Sequence, residues 1–152
     1  MAAVRTATVT WQGDLGGGSG TVSAGTSGMF QDLPVSWASR TESPGGRTSP
    51  EELLAAAHAS CYAMALSGEL GRAGTPPEHL HVEAEVHFEK VDAGWTVVSS
   101  ALTVLGHVPG ATHDSFTRAA EAARDGCPIS RALKGNVELS VQATLEDEDR
   151  PH

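Results

Sequence analysis

Cationic charge is scarce: ten Lys and Arg stand against 19 Asp and Glu, for a formal net charge of −9. Such a surface repels the phosphates of nucleic acid and the anionic face of a membrane, so neither is an expected partner. No segment approaches the roughly 20 consecutive apolar residues of a membrane-spanning helix. Met1 to Trp11 carries Arg5 and scattered threonines but no continuous apolar stretch. No signal peptide is read there, and a soluble cytoplasmic protein is the expectation. Cysteine is nearly absent, with Cys61 and Cys127 the two in 152 residues. They lack the close spacing of a zinc knuckle, and a chain of this length does not depend on a disulfide to fold. In a reducing compartment the pair is either two buried thiols or a working redox couple, and composition does not choose. Apolar residues are sparse at 39%, whereas Gly is abundant at 17. A monomer then has little spare core, so dimerisation is plausible before any motif is read, and the length predicts one domain.

Val4 to Trp11 and Thr21 to Ala24 read as two short strands joined by the glycine-rich stretch Gly13 to Gly20, a hairpin with a flexible tip. That stretch lacks the Lys-Ser/Thr ending of a phosphate-binding loop and opens no helix, so it is a turn. Val35 to Arg40 looks like a further strand. Ser49-Pro50-Glu51-Glu52 then places Ser at a helix N-cap, Pro at the first helical position and Glu in the first turn. The helix predicted there runs to about Leu70, with small apolar residues all round, as a buried core helix needs. From Leu80 to Phe88 apolar residues hold the even positions and His or Glu the odd ones, which is a one-faced strand. Trp95 to His107 is its hairpin partner, Thr112 to about Asp125 a second helix, Pro128 a helix restart, and Val137 to Leu145 a last strand. The order predicts an α+β domain over residues 1–145, built on antiparallel sheet with a buried central helix. An acidic tail over 146–152 is expected to be solvated.

Cys61 lies about three turns into the central helix among alanines, where burial raises a thiol pKa and leaves the group inert. Cys127 precedes Pro128 at a helix start, where the helix favours a thiolate, so helix physics nominates the second cysteine as the more acidic. If Cys61 is the nucleophile, a cation from elsewhere must lower its pKa: Arg40, at the end of the third strand, or else Arg47 in the loop that follows. Glu51 most simply charges the helix N-terminus. It precedes Cys61 by ten residues, about 15 Å along a helix axis. A contact between the two therefore needs a fold-back at the helix start or the antiparallel helix of a second subunit. His58, one turn before Cys61, makes a Cys-His dyad for acyl transfer conceivable, but no third orienting residue is evident. His79 and His81 read as a solvated strand face rather than a metal site.

The string Ser49-Pro50-Glu51-Glu52-Leu53-Leu54-Ala55-Ala56-Ala57-His58-Ala59-Ser60-Cys61, with Met64-Ala65-Leu66, resembles the core helix of the osmotically inducible protein C (OsmC) family. Gly126-Cys127-Pro128-Ile129-Ser130 resembles its second cysteine motif, and the likeness extends from about residue 5 to 145. Arg40 stands late, after the third strand, as in OsmC itself rather than the sister organic hydroperoxide resistance branch. The resemblance implies an intertwined α+β homodimer with both active sites at the subunit interface. It implies a peroxidase for organic hydroperoxides and, less well, hydrogen peroxide, acting in oxidative and osmotic stress defence without cofactor or metal. Cys61 would attack as a thiolate held by Arg40, which Glu51 orients, and Cys127 would resolve the resulting sulfenic acid to a disulfide. A dithiol such as a dihydrolipoyl protein would reduce that disulfide. An apolar pocket for an alkyl tail is looked for around Met64, Tyr62, Trp37 and Phe30. The competing reading is a redox-sensing or ligand-binding protein whose disulfide forms without turnover.

Overall fold

Alternating Thr and Val flank a run of glycines near the N-terminus, and a hairpin follows from that pattern. In the computed structural model, which describes residues 1–147, β1 (Ala7–Gln12) pairs antiparallel with β2 (Ser19–Ala24), and β3 (Leu33–Val35) adds to the other edge of β2. The turn between β1 and β2 is not an open tip. Asp14 accepts the Gly18 amide on its carbonyl at 2.9 Å and the Gly17 amide on its carboxylate at 2.8 Å. The Trp11 indole donates to the Gly13 carbonyl at 2.9 Å. Gly13 sits at φ 94, in the left-handed region that this return needs.

The strand expected over Val35–Arg40 ends at Val35. Residues Trp37–Thr41 form a short helix, α1. Its N-cap is Ser36, whose hydroxyl accepts the Ser39 amide at 3.1 Å while the Ser39 hydroxyl accepts the Ser36 amide at 3.2 Å. This reciprocal cap overrides the alternation of Val35, Trp37 and Ser39 that reads as a strand, because two otherwise unpaired amides are satisfied at once. Arg40 therefore stands on a helix.

Helix α2 (Pro50–Arg72) begins as the sequence predicts, with the Ser49 hydroxyl accepting the Glu52 amide at 3.1 Å. It is continuous, so the fold-back at its start does not occur. The chain divides into two compact units, Met1–Leu53 and Leu54 onward.

In the second unit β4 (His79–Val91) pairs antiparallel with β5 (Gly94–His107), with a register shift at His87/Phe88. Helices α3 (His113–Gly126) and α4 (Pro128–Leu133) then carry the chain to β6 (Glu138–Leu145). The sheet is mixed, since β6 runs parallel to β5; the two-helix crossover is the long connection a parallel pair requires. Tyr62, Leu66 and Leu70 of α2 recur every four residues on one helical face and meet Leu102 and Val104 of β5 and Phe116, Ala120 and Ala123 of α3. That face is the buried one. The opposite face of α2 keeps Ala56, Ala57 and Ser60 exposed, and Met64 is 75% exposed, so α2 is not enclosed all round within one chain. At the end of β6, Glu146 donates its amide to the Gly106 carbonyl at 2.8 Å and its side chain is only 11% exposed, so the expected solvated tail does not start there. The rest of that tail, from residue 148, lies outside the described residues.

Candidate active site

The first unit brings Arg40 and Glu51 together. Glu51 lies in the first turn of α2 and Arg40 in the last turn of α1. The guanidinium Nε donates to both carboxylate oxygens, at 3.1 and 3.2 Å, and Nη2 donates to Oε1 at 2.6 Å. This is the two-point fork that an arginine makes and a lysine cannot. Arg40 is 28% exposed and Glu51 10%, so the carboxylate sits behind the cation and fixes its direction. The guanidinium also lies 5.3 Å from the centre of the Trp37 ring.

Beside this fork is a cavity of about 420 Å³ whose walls are almost wholly apolar: Val9, Trp11, Val22, Val35, Trp37 and Leu53, with Arg40 as its cation. Of the residues looked to for an alkyl pocket, Trp37 lines this cavity, and Met64 is 75% exposed on α2. Phe30 lines a separate hollow with Arg5 and Thr6, and in the second unit Tyr62 is core, its hydroxyl donating to the Ala120 carbonyl at 2.9 Å. Trp11 also lines the cavity, which the sequence reading did not anticipate. The glycines across the hairpin were its signal: a Cβ on Gly20 would stand 2.8 Å from the Trp11 ring and one on Gly18 3.0 Å, so the indole lies flat on bare backbone. Arg47 is exposed in the loop before α2.

The second unit brings the two cysteines together. Cys61 is half-buried on α2, and Cys127, 0% exposed, joins α3 to α4. The two thiols are neighbours, and each shifts the pKa of the other. Burial pushes the Cys61 thiol up, and the neighbouring Cys127 pushes it further, against a smaller pull from the Ile129 amide and the Arg131 charge. Burial also opposes a Cys127 thiolate, but its neighbours Cys61, Ser130 and Ile129 outweigh it and hold this thiol below its usual value. Cys127 does stand at the N-cap of α4, directly before Pro128, but its side chain makes no cap hydrogen bond there. Solvent access runs the other way, because Cys61 alone of the pair reaches the surface.

His58 makes no dyad with Cys61. It is fully buried, and both ring nitrogens are taken: Nδ1 lies 2.7 Å from Ser100 Oγ and Nε2 2.8 Å from Ser130 Oγ. Burial lowers its pKa, which keeps the ring neutral. His79 stacks on His107 with ring centres 5.5 Å apart. Among the described residues no group of three or more His, Cys, Asp or Glu is placed to hold a metal ion, and no helix is long and apolar enough to cross a membrane.

The chain is similar to known proteins in sequence and in fold. The chain is 42% identical over 132 residues to peroxiredoxin OsmC of Escherichia coli (strain K12), covering 87% of this chain and 91% of that one. Its fold matches an organic hydroperoxide resistance protein from Elizabethkingia anophelis with a TM-score of 0.73 at 24% identity, over 96% of this chain and 100% of that one. It matches the organic hydroperoxide resistance protein OhrB of Bacillus subtilis with a TM-score of 0.68 at 23% identity, over 91% and 98% of the two chains. The model of the OsmC-like protein family matches residues 43–142, a stretch that holds Glu51 and both cysteines, and the chain belongs to that family.

Proposed function

We propose that this protein is a thiol peroxidase that reduces organic hydroperoxides, and hydrogen peroxide less efficiently, in defence against oxidative and osmotic stress. The observation that carries the reading is the contact between an accessible thiol, Cys61, and a fully buried one, Cys127. A peroxide can reach the first. The second is held where an oxidised Cys61 sulfur would meet it.

The Cys61 thiolate attacks the terminal oxygen of the hydroperoxide. The O–O bond breaks, Cys61 becomes a sulfenic acid, and the alkoxide leaves with a proton as alcohol. The Cys127 thiolate then attacks the Cys61 sulfur, hydroxide leaves and is protonated to water, and a disulfide closes. An external dithiol, of which a lipoylated protein is one source, opens that disulfide by exchange and is itself oxidised. Burial leaves Cys61 too weakly acidic to do this alone. The cation it lacks is Arg40, aimed by Glu51 and set in the wall of the apolar cavity that takes the alkyl tail. Glu51 and Cys61 lie on one unbroken helix, about 15 Å apart along its axis, so the Arg40–Glu51 fork serves the Cys61 of a second copy in an intertwined homodimer.

The test is consumption of cumene hydroperoxide by pre-reduced protein, followed by intact mass. The wild type should lose two hydrogens, Cys61→Ser should consume nothing, and Cys127→Ser should accumulate a sulfenic or over-oxidised form. Consumption by Cys61→Ser but not by Cys127→Ser would exchange the two roles. A disulfide that forms as fast in Arg40→Lys as in the wild type would favour a redox sensor without turnover.

A further inference from the structure

Trp11 lines the apolar cavity beside Arg40, and the hairpin that carries it leaves room for its ring. In the sheet register Trp11 of β1 stands opposite Gly20 of β2, which in turn stands opposite Val35 of β3. The middle strand therefore has no side chain at the point where its two neighbours have one, and the indole lies over that gap. A Cβ on Gly20 would meet ring atom Cε3 at 2.8 Å and the Thr10 carbonyl oxygen at 2.9 Å; one on Gly18 would meet ring atom Cζ2 at 3.0 Å. Glycine inside a strand forfeits packing, so its use marks a close approach, here of an aromatic ring. The ring is also tied at its edge, since Nε1–H donates to the Gly13 carbonyl at 2.9 Å.

A tryptophan whose one task was to fasten the turn would be covered by neighbouring chain. Trp11 is instead 39% exposed. Glycine backbone covers one face of the indole, so the surface left open is the other face, which joins Val9, Val22 and Val35 as cavity wall.

We infer that Trp11 is the specificity-determining wall of this cavity, and that its fixed, open ring face selects hydroperoxides with an aromatic tail over those with a saturated one. The inference rests on the peroxidase reading for the reaction it steers, whereas the seating of the ring does not. Valine and leucine walls reward any apolar tail in proportion to the area taken from water. A ring held still adds a contribution that needs a flat tail: offset stacking of two aromatic rings gains about three- to tenfold in affinity beyond the area buried. The indole is already fixed by one hydrogen bond and two glycine contacts, so little further ordering is lost when a second ring settles on it. Arg40 is the cavity's cation, which draws the polar peroxide end and leaves the tail to the apolar walls.

The test uses two unreactive tertiary alcohols of one carbon skeleton, cumyl alcohol and its saturated counterpart 2-cyclohexyl-2-propanol. Each is titrated by calorimetry into the full chain carrying Cys61→Ser. Cumyl alcohol should bind more tightly, and adding Trp11→Leu should cut the ratio of the two affinities by about three- to tenfold. Trp11→Phe, which keeps a ring but loses the bond to Gly13, should cut it less, and is the variant to read if Trp11→Leu does not fold. A ratio that is the same with and without the indole overturns the inference. So does failure of both alcohols to bind, the result expected if side chains of a second copy fill the cavity. Turnover is measured separately on the two-cysteine protein, as the ratio of kcat/KM for the corresponding aryl and cyclohexyl hydroperoxides. That ratio should fall in Trp11→Leu by the same factor, through KM rather than kcat. A wild type that consumes neither hydroperoxide, yet binds cumyl alcohol through Trp11, refutes the peroxidase reading and keeps the aromatic site. Consumption of both at a ratio indifferent to Trp11 keeps the peroxidase and discards the inference.

Discussion

Removing Arg40 should destabilise the protein more than its partial exposure suggests, because the loss falls on the carboxylate behind it. Arg40→Ala takes away all three N–H···O contacts at 2.6 to 3.2 Å and leaves Glu51 with a side chain that is only 10% exposed. A hydrogen bond to a charged group is worth about 1.5–3 kcal/mol, and a buried ion left without its partner sits towards the upper end. Solvent screening at a cation that is 28% exposed reduces this, and the positive end of α2 next to Glu51 offsets about 0.5 kcal/mol more. The net expectation is about 2 kcal/mol. Glu51→Ala should cost about 1 kcal/mol, since the freed guanidinium can turn to water. The double substitution should then cost about 2 kcal/mol rather than 3, a coupling near 1 kcal/mol. Urea unfolding at one fixed protein concentration reads this directly, and Arg40→Ala should lower the midpoint by about 1 M if the slope is unchanged. Effects that add to within about 0.3 kcal/mol would refute the account, because independent sites add and a buried fork does not.

The cavity should set substrate size. Leu53→Trp, which fills part of the 420 Å³ beside Arg40, should reduce turnover of cumene hydroperoxide severalfold more than turnover of hydrogen peroxide, in a side-by-side rate comparison. Gly106→Ala should lower the melting temperature, by the equivalent of about 1–3 kcal/mol, because its new Cβ would stand 2.7 Å from a Phe116 ring held in the core. Stability should also fall with acid through His58: its folded pKa lies below the ordinary 6.5, so the unfolded state binds the extra proton first. That contribution is whole above about pH 6.5 and is lost as the pH drops towards the folded value. Unfolding midpoints between pH 7.5 and 5 should show this slope, and His58→Gln should flatten it.

Much of this was legible before any coordinates because the signals were local. Ser49 and Pro50 announce α2, the even positions from Leu80 to Phe88 announce β4, and Thr112 and Gly126 bracket α3. Each rests on satisfying amides near in sequence or on one periodicity. The failures share a cause as well. Ser36 to Arg40 alternates like a strand, and only the reciprocal bonds between Ser36 and Ser39 make it helical. The parallel placement of β6 is not written in β6, whose alternation would suit either direction. An alkyl pocket was looked for around Met64, Tyr62, Trp37 and Phe30; of these Trp37 lines the cavity beside Arg40, whose other walls come from β1 and β2, distant from α1 in sequence.

The sequence by itself determined the two thiols, the arginine and the glutamate, and the start of the helix that carries both Glu51 and Cys61, since residue identity and helix-starting chemistry need no partners. Only the tertiary structure decided that Arg40 and Glu51 form a fork, that Cys61 is accessible while Cys127 is not, and that His58 faces two serines instead of a thiol. Those facts depend on burial and on which side chains meet across elements, and both arise from packing between segments that no local pattern relates.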